Sequence, residues 1–185
     1  MSTSPEPFAI GHVGLYVRDF DGMTAFYRDV LGFVVTDQGP KIRFMSRDPS
    51  QHHQVVLCPG RAEGGPEVIQ QLSFKIGSLE EVKAINDRLL AYGAKGMEPR
   101  THGNAWSIYF RDPENNRLEF YCDTPWHIPQ PFGRPIDYTK PLELIRAETK
   151  AMCEETPGYM PMEDYKSKLA QRLQKELAAK DLIKA

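Results

Sequence analysis

The sequence predicts an α+β fold: two tandem βαβββ modules forming a half-open, barrel-like cavity, followed by a C-terminal helical extension. Three observations predict it. First, RDPSQHHQVVLC (47–58) and RDPENNRLEFYC (111–122) share Arg-Asp-Pro and a cysteine at a common offset of 64, which marks an internal repeat. Second, each copy is preceded by an alternating apolar run and then a helical pattern. Third, beyond Thr124 the repeat gives way to a proline-rich stretch and two further helical patterns.

The elements follow in chain order. HVGLYV from His12 opens the first half as a strand, and DFDGMTAFYRDVLGF is its helix, with Asp19 or Asp21 as N-cap and Gly32 as the stop. FVVTD, KIRFMSR and HQVVLC read as three short strands separated by Gly-Pro and Asp-Pro turns. CPGRAEGGPE (58–67) is the linker. The second half repeats the order: QLSFKI, then the helix of SLEEVKAINDRLLAYGA, then GMEPRT, WSIYFR and RLEFYC. Ser78 with Glu81 fits a capping box, and Gly93 ends that helix. TPWHIPQPFGRPI must be extended. PLELIRAETKAMCEET and MEDYKSKLAQRLQKELAAKDLI are helical, the latter carrying Leu169, Leu173, Leu177 and Ile183 on one stripe. The expected division is 8–123 for the two-module domain (modules about 8–58 and 68–123) and 124–185 for the appended segment.

Composition excludes several classes. A net charge of −2 and a pI near 6.2 lack the basic footprint of a nucleic-acid binder. No apolar run approaches the roughly 18 residues of a membrane span, and MSTSPEPFAI has no signal-peptide pattern. Three cysteines, Cys58, Cys122 and Cys153, without CxxC spacing read as reduced thiols. A cytoplasmic location and no membrane partner are expected.

The strand RLEFYC carries a carboxylate, Glu119, in an otherwise apolar pattern. Burying it without a cation would be expensive. His12 and Gln71 begin the first strand of each half, so the repeat brings an imidazole and a carboxamide towards the same cavity. The offset of 64 sets Val55 in the place of Glu119, and strand alternation then puts His53 on that face. Tyr109 and Ser107 share a face of the preceding strand, and His102 lies in the loop before it. Taken singly, His12 reads as a core histidine, Gln71 as a polar strand start and Tyr109 as a core tyrosine. Together, His12, Gln71 and Glu119 form an N/O donor set with open positions, suited to Fe(II), Mn(II), Ni(II) or Zn(II). Trp106 reads as a packing residue and His127 as a loop residue.

HVGLYVRD, FYRDVLGF and HGNAWSIYFRDPENNRLEFY resemble the vicinal oxygen chelate superfamily, which includes glyoxalase I and type I extradiol dioxygenases. The pattern over residues 8–123 looks most like the one-domain extradiol enzymes of the catechol 2,3-dioxygenase or biphenyl-diol dioxygenase type. That resemblance implies a ring-cleaving dioxygenase acting on a catechol-like diol with O2 and a divalent metal, foremost Fe(II), in a homo-oligomer. It implies metal ligation by His12 and Glu119, and acid/base chemistry at His53. Tyr109 and His102 would complete the catalytic set. Gln71 stands where extradiol enzymes carry a second histidine; some glyoxalases use glutamine there. A glyoxalase-like isomerase or lyase, and a non-catalytic binding protein of the resistance type, are the alternatives. The former needs a base carboxylate where this chain has Val55.

Overall fold

The computed structural model describes residues 10–64 and 69–179 and divides them into two compact units, one of residues 10–99 with 107–122, the other of 100–106 with the chain from 123 onward. The N-terminal stretch, part of the linker, both modules' starts at 8 and 68, and Ile183 of the tail stripe lie outside the described residues.

In the first unit, β1 (Val13–Val17) leads into α1 (Phe20–Ala25). Asp19 is the N-cap, its Oδ1 accepting from the Gly22 N–H at 2.9 Å. The helix widens into a π-helical turn, Phe26–Val30, and ends at Gly32, whose φ of 77° suits a residue without Cβ. β2 (Val34–Gly39), β3 (Ile42–Ser46) and β4 (Val55–Pro59) complete a sheet in the order β1-β4-β3-β2, with β1 parallel to β4.

The second half repeats this plan. β5 (Leu72–Lys75) precedes α2 (Leu79–Tyr92), which Ser78 caps and Gly93 closes at φ 79°. Glu81 differs from a capping box: its carboxylate accepts from the N–H of Gly77, one residue ahead of the cap. β6 (Lys95–Thr101), β7 (Ala105–Arg111) and β8 (Arg117–Asp123) give the order β6-β7-β8-β5, with β5 parallel to β8.

Each sheet buries one face. Leu15, Val17, Met45, Val55 and Leu57 are buried, whereas Tyr16 is 71% exposed. In the second sheet Phe110 stacks on Phe120 at 5.9 Å, Phe120 meets Phe74 at 5.3 Å, and Phe74 meets Phe33 of the first half at 5.5 Å. Each fully buried phenylalanine contributes roughly 1.5–3 kcal/mol. The apolar residues thus fix which face remains for chemistry: His12, Gly14 and Val56 on one sheet, Gln71, Ser73, Tyr109 and Glu119 on the other.

This phase corrects one expectation. Val13 pairs with Val55 and Gly14 with Val56, while Ser73 pairs with Glu119. Val56, not Val55, therefore takes the place of Glu119; Val55 lies on the buried face. The chain between Arg-Asp-Pro and the facing position is one residue longer in the first half, and a slip of one residue reverses a strand's faces. His53 lies in that loop, ahead of β4.

The halves are clamped by a buried carboxylate. Glu114, 5% exposed in the second-half turn, accepts from the N–H groups of Arg18 at 2.6 Å and Asp19 at 2.8 Å. Its Oε2 lies 3.5 Å from Arg61 and 3.8 Å from Arg18. Asp112 organises the turn itself, accepting from the N–H groups of Glu114 and Asn116 and from the Asn116 amide.

In the second unit, β9 (Trp126–His127) pairs with β11 (Met160–Pro161), and β10 (Arg134–Pro135) pairs with Arg100–Thr101. α3 (Leu142–Glu154) and α4 (Met162–Ala178) are the two tail helices. Trp106 is a packing residue: its Nε1 donates to Thr149 Oγ1 at 2.9 Å and its ring meets Trp126 edge-on. His127 stacks on Tyr165 with ring centroids 3.6 Å apart. The three cysteines are free thiols, and burial pushes that of Cys153 up to about 11. No helix among the described residues is long and apolar enough to cross a membrane.

Glu114→Ala leaves two backbone N–H groups and two guanidinium groups without their carboxylate, and is expected to lower unfolding free energy by about 3 kcal/mol in chemical denaturation. Burial, partly offset by donated hydrogen bonds, raises the pKa of Asp112. A carboxyl raised on folding contributes stability below its unfolded pKa that is lost as pH rises through the folded value. Asp112→Asn is expected to flatten the stability–pH profile over that window, whatever it does to the absolute stability; an unchanged slope in parallel melts refutes the assignment.

Candidate metal centre

Glu119 is 6% exposed on the central stretch of β8. Among the described residues no lysine or arginine forms an ion pair with it; instead two neutral donors converge on one of its oxygens. Ser73 Oγ donates to Oε2 at 2.5 Å and Gln71 Nε2 donates to the same atom at 3.1 Å. The same amide nitrogen also donates to Ser73 Oγ at 2.9 Å. Strand geometry explains the meeting: Ser73 and Glu119 are direct partners in the parallel β5–β8 ladder, and Gln71 is two residues before Ser73, on the same face. Ser73 was not singled out from the sequence. The signal was its place on the i, i+2 pattern with Gln71, which becomes readable only once β5 is known to lie beside β8.

His12 stands at the equivalent point ahead of β1. It is solvent-exposed and shares with Gln71 the lining of a cavity of about 870 Å³. Phe33, Phe74 and Phe120 supply its apolar wall, and Arg47 and Lys75 its cations. The His12 ring lies 4.4 Å from that of His53, centroid to centroid. His53 thus reaches His12 from a loop rather than from a strand. Its Nδ1 is 2.9 Å from Nδ1 of His52, one imidazole donating and the other accepting, and its ring meets Phe44 at 5.0 Å. Desolvation first, then the neighbouring His12 and His52, holds the His53 pKa below the ordinary histidine value.

Tyr109 is buried on β7, one residue from Phe110 and so on the opposite face from the Phe110–Phe120 stack, the face that carries Glu119. The Arg117 guanidinium covers its ring at 4.2 Å. His102 belongs to the other unit, where its Nδ1 lies 2.6 Å from the Phe132 carbonyl and its own carbonyl accepts from Gln130 Nε2. Among the described residues no three His, Cys, Asp or Glu side chains converge as a metal cluster; the candidate set counts a carboxamide among its three donors.

The sequence matches the family model described as the Glyoxalase/Bleomycin resistance protein/Dioxygenase superfamily over residues 9–120, and the chain belongs to that superfamily. It is 32% identical over 120 residues to biphenyl-2,3-diol 1,2-dioxygenase 3 of Rhodococcus globerulus, covering 62% of this chain and 63% of that protein. It is 27% identical over 143 residues to 1,2-dihydroxynaphthalene dioxygenase of Pseudomonas sp. (strain C18), covering 74% of this chain and 46% of that one. The chain therefore spans less than two thirds of either relative's length. Lactoylglutathione lyase from Agrobacterium tumefaciens superposes with a TM-score of 0.52 at 24% identity, over 64% of this chain and 96% of that one, a likeness of fold.

Glu119→Asn shortens the side chain and removes the charge of the oxygen that accepts from Ser73 and Gln71. It is expected to leave the melting temperature within a few degrees while removing divalent-metal uptake, checked by thermal melts beside equilibrium dialysis against Mn(II).

Proposed function

We propose that the chain is a metal-dependent extradiol-type dioxygenase that cleaves the ring of a catechol-like aromatic diol. The observation that carries this reading is the direct Gln71–Glu119 contact, with His12 lining the same cavity as Gln71. The relatives named as dioxygenases of aromatic diols support it.

The donor chemistry fits a divalent cation: one imidazole nitrogen, one amide oxygen and one carboxylate oxygen. His12, Gln71 and Glu119 would hold it, with Fe(II) as the first assignment and Mn(II), Ni(II) or Zn(II) as alternatives. When bound, such an ion would supply positive charge that stabilises the deprotonated diol and would mediate electron transfer from it to O2. The remaining steps belong to side chains. His53, whose ring lies against that of His12, takes a proton from one hydroxyl of the diol and returns it later to product oxygen. Tyr109 donates its phenolic hydrogen to a substrate oxygen, with Arg117 holding the ring in place. His102 is the further histidine that the family resemblance assigns to this chemistry. A glyoxalase-like reaction is less well supplied, since Val56 stands where it would need a base carboxylate.

Protein purified without oxygen should contain close to one equivalent of metal, and should turn at least one member of a catechol panel into a coloured ring-cleavage product in air. Metal-free protein and no product with any diol would sink the reading. His53→Phe is expected to lower kcat by about 100- to 10,000-fold at unchanged metal content, as for loss of a general acid–base. His12→Ala should reduce metal content and activity together.

A further inference from the structure

Ser73, Gln71 and Glu119 form a closed ring of three hydrogen bonds in which the hydrogens can be counted. The Gln71 amide has two N–H bonds, and both are used: one on Ser73 Oγ at 2.9 Å, the other on Glu119 Oε2 at 3.1 Å. Ser73 has one O–H, and it goes to Glu119 Oε2 at 2.5 Å. The amide must present nitrogen to the carboxylate, since its oxygen would face another acceptor. Two oxygens then accept nothing from the described residues, Oε1 of Gln71 and Oε1 of Glu119.

We propose that Ser73 is a positioning residue of the metal centre, and that its ring with Gln71 commits both neighbours to ligation through a single oxygen, Oε1 in each. This rests on the metal-dependent reading above and adds what that reading lacks, a reason for glutamine at position 71. A neutral imidazole has one N–H; if its other nitrogen held a metal, it could satisfy Ser73 or Glu119 but not both. The carboxamide satisfies both and still offers an oxygen. Gln71 is thus a built part of the site, and Glu119, with Oε2 occupied by two donors, has Oε1 left to offer a metal.

Ser73 is exposed and touches the site through its hydroxyl alone, so Ser73→Ala should fold normally, which a thermal melt verifies. Co(II) is the probe, its affinity read by competition with a chromophoric chelator and its coordination by the visible absorption spectrum. Ser73→Ala is expected to weaken Co(II) binding about 10- to 100-fold, the usual effect of removing a group that orients a ligand, and to change the intensity of the cobalt bands as Oε2 loses one of its two donors. Ser73→Thr, which keeps the hydroxyl, should restore both. In a Gln71→His background, where the ring is already broken, Ser73→Ala should cost much less than it does in the native chain. Equal affinity and spectrum for native protein and Ser73→Ala, or an equal loss in both backgrounds, overturns the role of Ser73 alone. Native protein that takes up no Co(II) overturns the metal-dependent reading and this inference with it.

Discussion

Two backbone N–H groups just ahead of the first helix are held by a carboxylate from the far half of the chain, and much of the arrangement depends on that contact. Glu114 accepts from Arg18 and Asp19, the two residues that link β1 to α1. The adjacent helix N-terminus carries partial positive charge, so a buried carboxylate there is stabilised by it as well as by the two hydrogen bonds. The cost of burying Glu114 is offset further by Arg18 and Arg61. Tyr27 is fully buried near the same carboxylates; burial first, then Asp112, pushes its phenol pKa well above the ordinary value. The Asp-Pro turn of one half is therefore the seat for the helix of the other, and the strand that follows the turn carries Glu119.

From that seat the chemistry follows by alternation. Phe110, Leu118 and Phe120 must be buried, and a strand cannot bury successive residues on one face. Tyr109 and Glu119 are left on the other. The same rule applied to β5 turns the half-buried Phe74 towards Phe120 and brings Gln71 and Ser73 to the side of Glu119. Hydrophobic burial thus decides the position of the polar groups, while the hydrogen bonds among them decide only their orientation.

Most of the architecture was legible in the sequence because it rests on local signals. The Asp19 and Ser78 caps, the stops at Gly32 and Gly93, and the repeated order of strands and helix all follow from residue types at fixed spacing. The loop carrying His53 was not legible in the same way. Arg-Asp-Pro and Cys coincide at an offset of 64, yet the strand between them is out of phase by one residue, and only the ladder partners reveal it. The π-helical turn at Phe26–Val30 was likewise hidden, since its residues have the composition of an ordinary amphipathic helix. Ser73 was missed because a serine two residues into a strand carries no distinctive signal until its cross-strand partner is known.

The one-residue difference between the two Asp-Pro loops has a meaning for the history of the chain. Two copies of a module in the same phase would present two equivalent half-sites, each with a carboxylate on its last strand and a polar donor on its first. Here one copy retains Glu119 while the other offers Val56, and the extra loop residue brings histidines to the side that has no carboxylate. Duplication supplied symmetry, and divergence spent it: one half became the anionic partner and the other the basic one. Such a division of labour makes the halves complementary, so neither could now be replaced by a second copy of the other.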